Sequence, residues 1–120
     1  MATTKEQQRA AFALKKITSA CGEKVSGGTV SFIQGAPSQI LQNGLGQAMA
    51  FWAAKKDGDK ELVFGAVAGW LVEAKIASTT QPKDFLTALN SWEIAKYLKA
   101  QKEALAFLQW LKRYAKAFAE

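Results

Sequence analysis

The sequence contains no histidine, which removes the commonest general base and the commonest metal ligand together. Its single cysteine, Cys21, allows no internal disulfide and cannot build a zinc site. A lone thiol fits a reducing compartment, and the cytoplasm is the expected location. The carboxylates are scattered, with no two spaced to share one helix face in a pocket. Asp57-Gly58-Asp59 lacks the further acidic ligands of a calcium loop and reads as a turn. The nucleophile elbow, the phosphate-binding Gly-x-x-x-x-Gly-Lys and the dinucleotide fingerprint are all missing. No apolar run approaches the ~20 residues of a membrane span, and the polar opening MATTKEQQR is not a signal peptide. These absences argue against catalytic residues, a metal, a cofactor, a small-molecule substrate and a membrane.

Among 120 residues, 49% are apolar and 22% charged, a globular balance for one domain over 1–120. Ala, Leu, Lys and Gln outnumber β-branched residues, so the expected fold is all-α: a compact bundle of five to six helices. The net charge of +6 suits contact with a polyanion.

The stretch Asn90 to Glu120 has no Gly or Pro and predicts a long C-terminal helix, capped by Asn90 with Glu93 as partner. If straight it would reach roughly 45 Å at about 1.5 Å per residue. Its second half sorts by helical angle. Ala104, Leu108, Leu111, Ala115 and Phe118 form an apolar stripe, and Lys102, Gln109, Lys112, Arg113 and Lys116 lie opposite. The first half is less regular, which predicts either a bend between Lys99 and Lys102 or a second buried contact there.

Toward the N-terminus, Thr3 and Thr4 with Glu6 and Gln7 offer overlapping capping boxes for a first helix ending at Gly22. Its stripe is Ala10, Ala13, Leu14, Ile17 and Cys21; Lys5, Arg9, Phe12 and Lys16 fall on the other side. Residues 22–36, with four glycines, read as a loop holding at most a turn of helix around Thr29 to Gln34. Pro37 then starts a second helix running to about Lys56, with Ile40, Leu41, Leu45, Ala48, Phe51 and Trp52 buried. Gly44 and Gly46 inside that helix cost roughly 2 kcal/mol together against alanine, so something should approach the backbone there. Asp59 is expected to cap a third helix, Lys60 to about Ile76, apolar on two sides and therefore central or covered by another protomer. Pro82 opens a short helix burying Phe85, Leu86 and Leu89.

Three segments in this order resemble one family. They are Asn43-Gly44-Leu45-Gly46-Gln47-Ala48 followed by Phe51, the run Glu103-Ala104-Leu105 through Trp110-Leu111-Lys112-Arg113-Tyr114-Ala115-Lys116, and the basic opening helix around Arg9. Together they resemble the small all-helical subunit of the type III-B CRISPR–RAMP effector, the Cmr complex. The resemblance implies a non-catalytic subunit working in antiviral defence. It implies stacking with copies of itself and other Cmr subunits, and backbone contacts to guide (crRNA) and target RNA. Lys102, Lys112, Arg113 and Lys116, with Lys5, Arg9 and Lys16, are the candidate nucleic-acid contacts, because sequence-independent binding needs phosphate-neutralising cations. Gln42, Asn43 and Gly46 are the candidate protomer contacts. Two rivals stand beside this reading. A free-standing helical DNA-binding regulator would need a short recognition helix after a tight turn. An amphipathic membrane-surface protein would need the terminal apolar stripe to be exposed in solution.

Overall fold

A computed structural model describes residues 2–54 and 57–120, so the expected helix end at Lys56 lies outside the described residues. These residues form five helices and no strand: α1 (Lys5–Cys21), α2 (Gly27–Trp52), α3 (Gly58–Glu73), α4 (Pro82–Leu89) and α5 (Ile94–Ala117). The all-α expectation holds, with the longest unbroken helix at the C-terminus. α5 packs against α1, α2 and α3, while α4 closes the end of the bundle against α2.

α1 begins as its sequence dictates. Thr4 caps it, accepting from Gln7 N at 3.0 Å while the Gln7 side chain accepts from Thr4 N at 2.8 Å. Gly22 ends it at φ 71°, a left-handed geometry that glycine adopts without steric cost. The helix is rolled relative to its expected stripe. Ala13 and Ile17 are buried, but Leu14 is 37% exposed and Phe12 is turned inward. Phe12 lies 5.8 Å from the Trp70 ring and 6.0 Å from Phe107, over Gly69 of α3. The small residue at 69 is what admits the ring, since a Cβ there would sit 3.0 Å from Phe12 Cζ.

The glycine-rich stretch expected as a loop is the first half of α2. Ser26 caps it by accepting from Thr29 N, and Thr29 Oγ1 donates to Asp59 of α3 at 2.6 Å. The helix forms here because Val30, Ile33, Ala36, Pro37 and Ile40 fall on one buried face, outweighing the propensity cost of the glycines. Pro37 is thus inside the helix rather than at its start, buried against the core.

The true interruption is Gly44, at φ 84° and ψ 161°, a region essentially restricted to glycine. Breaking the helix frees the amides of Leu45 and Gly46, and both find partners on α5. Leu45 N donates to Gln101 Oε1 at 2.9 Å, and Gly46 N donates to Tyr97 OH at 2.8 Å. The expected second buried contact near Lys99–Lys102 is therefore this one, and α5 passes through that stretch as continuous helix with Ala100 buried. The break also dephases the apolar stripe, which is why Leu41 is 70% exposed and Phe51 45% exposed instead of buried.

Further starts and stops differ from expectation for local reasons. Asp57, not Asp59, caps α3, accepting from Lys60 N at 3.1 Å, because Asp59 is already bound by Thr29. Asn90 closes α4, and α5 begins only after Glu93, so the helix is 24 residues and about 36 Å long. α3 is central: Val63, Phe64, Ala66, Val67, Ala68, Trp70 and Leu71 are all buried within the chain. The C-terminus folds back beside the α1–α2 connection, where Val25 N donates to Phe118 O at 2.8 Å and Glu120 N donates to Val25 O at 3.0 Å.

Candidate nucleic-acid interface

α5 is held by three helices, and over its second half what remains free is its cationic face. Leu108, Leu111 and Ala115 are fully buried, which overturns the membrane-surface reading of that stripe. On the outward side Lys102, Gln109, Lys112, Arg113 and Lys116 fall within an arc of about 100° at 100° per residue. Lys102, Arg113 and Lys116 are exposed and Lys112 is half-buried. Among the described residues the ion pairs are Arg9 with Glu6, Arg9 with Glu103 and Lys60 with Asp57; none of them uses a cation of this face. Gln109, Lys112, Arg113 and Lys116 line a groove of about 190 Å³ with Gln34 of α2, whose Nε2 donates to Lys112 O at 3.4 Å. Two amides and three cations around one small groove can hydrogen-bond and neutralise phosphate oxygens, with the planar Arg113 guanidinium able to bind two at once. Gln34 was not legible as part of this groove, because the sequence places it in an expected loop.

The residues expected from α1 separate into three situations. Lys5 is exposed and lines a larger groove between α1 and α3. Lys16 is half-buried, its Nζ 5.3 Å from the Phe12 ring centroid, on a second groove shared with Glu61. Arg9 is turned inward. Its Nε and one terminal nitrogen donate to Glu103 at 2.5 and 3.0 Å, and the other donates to Glu6 at 2.6 Å. Glu103 also accepts from Trp70 Nε1 at 2.9 Å. Arg9 is thus not a surface cation: its side chain is 15% exposed and its charge is matched by a buried carboxylate. The hydrogen bonds from Arg9, against the opposing effect of burial, hold Glu103 below the usual carboxylate range. The bond to Glu103 likewise raises the Arg9 guanidinium. Glu103 was missed as a structural centre because, in sequence, it reads only as one acidic position in a lysine-rich helix.

Of the expected protomer contacts, Gln42 and Asn43 are exposed, with Asn43 Nδ2 donating to Gln39 Oε1 at 3.3 Å. Gly46 faces inward. Its amide is taken by Tyr97, and a Cβ there would meet Tyr97 OH at 3.3 Å and Leu89 Cδ2 at 3.4 Å. The close approach expected at this glycine is therefore made by α5 and α4 of the same chain. Three large apolar side chains not singled out from sequence as surface groups stand outward nearby: Leu41, Ile94 at 76% exposed and Leu98 at 54%. The bonded pairs Gln34–Lys112 and Leu45–Gln101 set α2 antiparallel to α5. The seam between these helices consequently carries exposed apolar groups toward the N-terminal end of α5 and cations toward its C-terminal end.

Among the described residues no three His, Cys, Asp or Glu side chains gather as a metal site would require. Burial, with the charge of Asp59, pushes the Cys21 thiol up. No helix of the described residues is long and apolar enough to cross a membrane.

Comparison with known proteins identifies the family. The model of the family described as CRISPR-associated protein (Cas_Cmr5) matches residues 5–118. Among solved structures, the chain is similar to the crystal structure of a CRISPR-associated Cmr5 family protein from Thermus thermophilus. The two share 25% sequence identity at a TM-score of 0.80, over 99% of this chain and 100% of the other. The motifs around Gly44 and Trp110, the helical architecture and the family match converge: the chain belongs to the Cas_Cmr5 family of CRISPR-associated proteins.

Proposed function

We propose that this protein is a non-catalytic small subunit of the Cmr effector complex. In this role it stacks with copies of itself and with other Cmr subunits and contacts guide and target RNA through its basic helix faces. The observation that carries the reading is the free cationic arc of α5. Lys102, Lys112, Arg113 and Lys116 have no carboxylate partner among the described residues, in a chain whose family is CRISPR-associated. Four such charges on one face would repel one another in isolation, and a polyanion removes that repulsion. Contact through phosphates is sequence-independent, as suits a particle whose specificity comes from base pairing. The exposed Leu41, Ile94 and Leu98, beside Gln42 and Asn43, form the surface assigned to sibling subunits. α5 is packed on three helices along its length, so it is not a short recognition helix free to enter a major groove.

Two experiments test this reading. Affinity purification of the protein from its native cell should bring down a multisubunit particle with guide RNA. Combined charge reversal of Lys112, Arg113 and Lys116 to Glu should weaken target loading by that particle while leaving circular dichroism and the folding transition unchanged. Normal loading by the triple variant would remove α5 from the interface, and tight binding of the wild type to one DNA sequence would remove the scaffold reading itself.

A further inference from the structure

The cationic face of α5 does not end at that helix. Gln109 and Arg113 line both the α2–α5 groove and a second groove of about 290 Å³, which they share with Trp110 and Glu6. Among the described residues Glu6 is the only carboxylate there, and it is already engaged: it pairs with Arg9 at 2.6 Å and accepts from Trp110 Nε1 at 3.1 Å. One residue before Glu6, Lys5 lines a groove of about 630 Å³ between α1 and the end of α3. Lys15 and Lys75 line the same groove, Phe12 and Trp70 form part of its wall, and Glu73 is the one acidic lining residue. Lys75 stands at φ 63°, the only non-glycine residue in that region among those described. All three lysines are exposed and without an ion-pair partner among the described residues.

We propose that these three adjoining grooves form one path for a single-stranded RNA segment, which crosses α5 and the first turn of α1 and ends between α1 and α3. This rests on the RNA-contact reading above and extends it to Lys15 and Lys75. A single strand fits the path better than a duplex does. The grooves are separate and lie between different helix pairs, and a flexible single strand can thread between separate sites that a stiff double helix would have to span. The half-buried Trp110 and Phe12 lie along it as apolar surfaces for sugars and bases between charged stations.

The test is the salt dependence of binding by the full chain, measured by fluorescence anisotropy with a labelled oligouridylate of about 15 nucleotides. A duplex RNA of the same length serves as comparison. Each phosphate contact contributes about 0.7 to the slope of log K against log[salt] for a single strand, so the K15A/K75A variant should lower the slope by about 1.4. The K15R/K75R variant should keep it, and duplex binding should be unaffected by either. An unchanged single-strand slope in K15A/K75A overturns the path. If K112A/R113A/K116A still lowers the slope, the α5 interface survives that failure; if neither variant does, both readings fall. An equal loss with duplex also overturns the proposal, because the groove would then be a general polyanion surface rather than a strand path.

Discussion

Replacing Glu103 by alanine removes three hydrogen-bond acceptor contacts at once, two from Arg9 and one from Trp70. The guanidinium left behind is 15% exposed, so water cannot fully replace the lost carboxylate, and Glu6 satisfies only one of its nitrogens. Breaking a buried pair from one side typically costs 3–5 kcal/mol, and that is the expected loss for E103A. In a domain of this size it corresponds to a fall in Tm on the order of 10–20 °C. Replacing both partners is milder. In R9L/E103Q no charge is stranded and the glutamine oxygen can still accept from Trp70, so most of the loss should be recovered. The pH profile gives an independent reading. Because Arg9 holds Glu103 below the usual carboxylate range, the pair's contribution is fully present above the unfolded value of about 4.3 and is lost as pH falls through the folded one. Urea unfolding of the wild type should therefore weaken below about pH 4 by more than that of R9L/E103Q, which has no such carboxylate to protonate. An E103A variant within about 1 kcal/mol of wild type would refute the assignment of this triad as the tie between α1, α3 and α5. So would identical acid profiles for wild type and R9L/E103Q.

The remaining predictions concern glycines whose roles the structure separates. G44A should lose about 1–3 kcal/mol in urea unfolding, because an alanine is strained at φ 84°, whereas G46A should change stability by less than about 1 kcal/mol since its backbone is helical and only side-chain atoms must yield. Equal effects would mean that the break in α2 is not fixed by Gly44. G69A places a methyl 3.0 Å from Phe12 Cζ, so the overpacking cost of about 1–3 kcal/mol should exceed the helix-propensity gain of about 1, and F12L should relieve it. A G69A variant more stable than wild type would show that the Phe12 ring moves aside freely.

Helix identity was legible where a start signal was strong, as at Thr4 with Gln7 and at Pro82, or where the apolar period was clean, as in the α5 stripe. It was obscured where local and tertiary preferences disagree. Gly27, Gly28, Gly35 and Pro37 argue locally for a loop, but Val30, Ile33 and Ile40 gain enough by burial to hold the segment helical. The opposite error arose at Gly44. A glycine inside an apolar period looks like a packing contact, and nothing local reveals a positive φ whose freed amides are received by Tyr97 and Gln101 more than fifty positions away. The same distance hid the fate of Arg9. On a helical wheel it belongs with Lys5 and Lys16, and only the placement of Glu103 across the bundle turns it inward.

That fate bears on where the charge of the molecule resides. The acidic groups that the fold engages most closely serve internal contacts: Glu103 binds Arg9 and Trp70, Glu6 binds Arg9 and Trp110, Asp57 caps α3, and Asp59 binds Thr29. Of these Glu103 alone is buried, and it goes inward together with Arg9, so the pair leaves the net charge of the remaining side chains unchanged. Among the described residues, the surplus of positive charge behind the net +6 is therefore carried by exposed and half-buried side chains, among them those on the outer face of α5 and in the groove beside α1. In a self-sufficient domain, dispersing acidic residues among those lysines would relieve their repulsion at no evident cost to the core. Here Glu103, Glu6 and Asp59 bond across helices, and the outer face of α5 formed by Lys102, Gln109, Lys112, Arg113 and Lys116 holds no acidic residue. The surface proposed for RNA contact, the outer face of α5, is thus left without an ion-pair partner among the described residues, while Glu103 ties the bundle together inside.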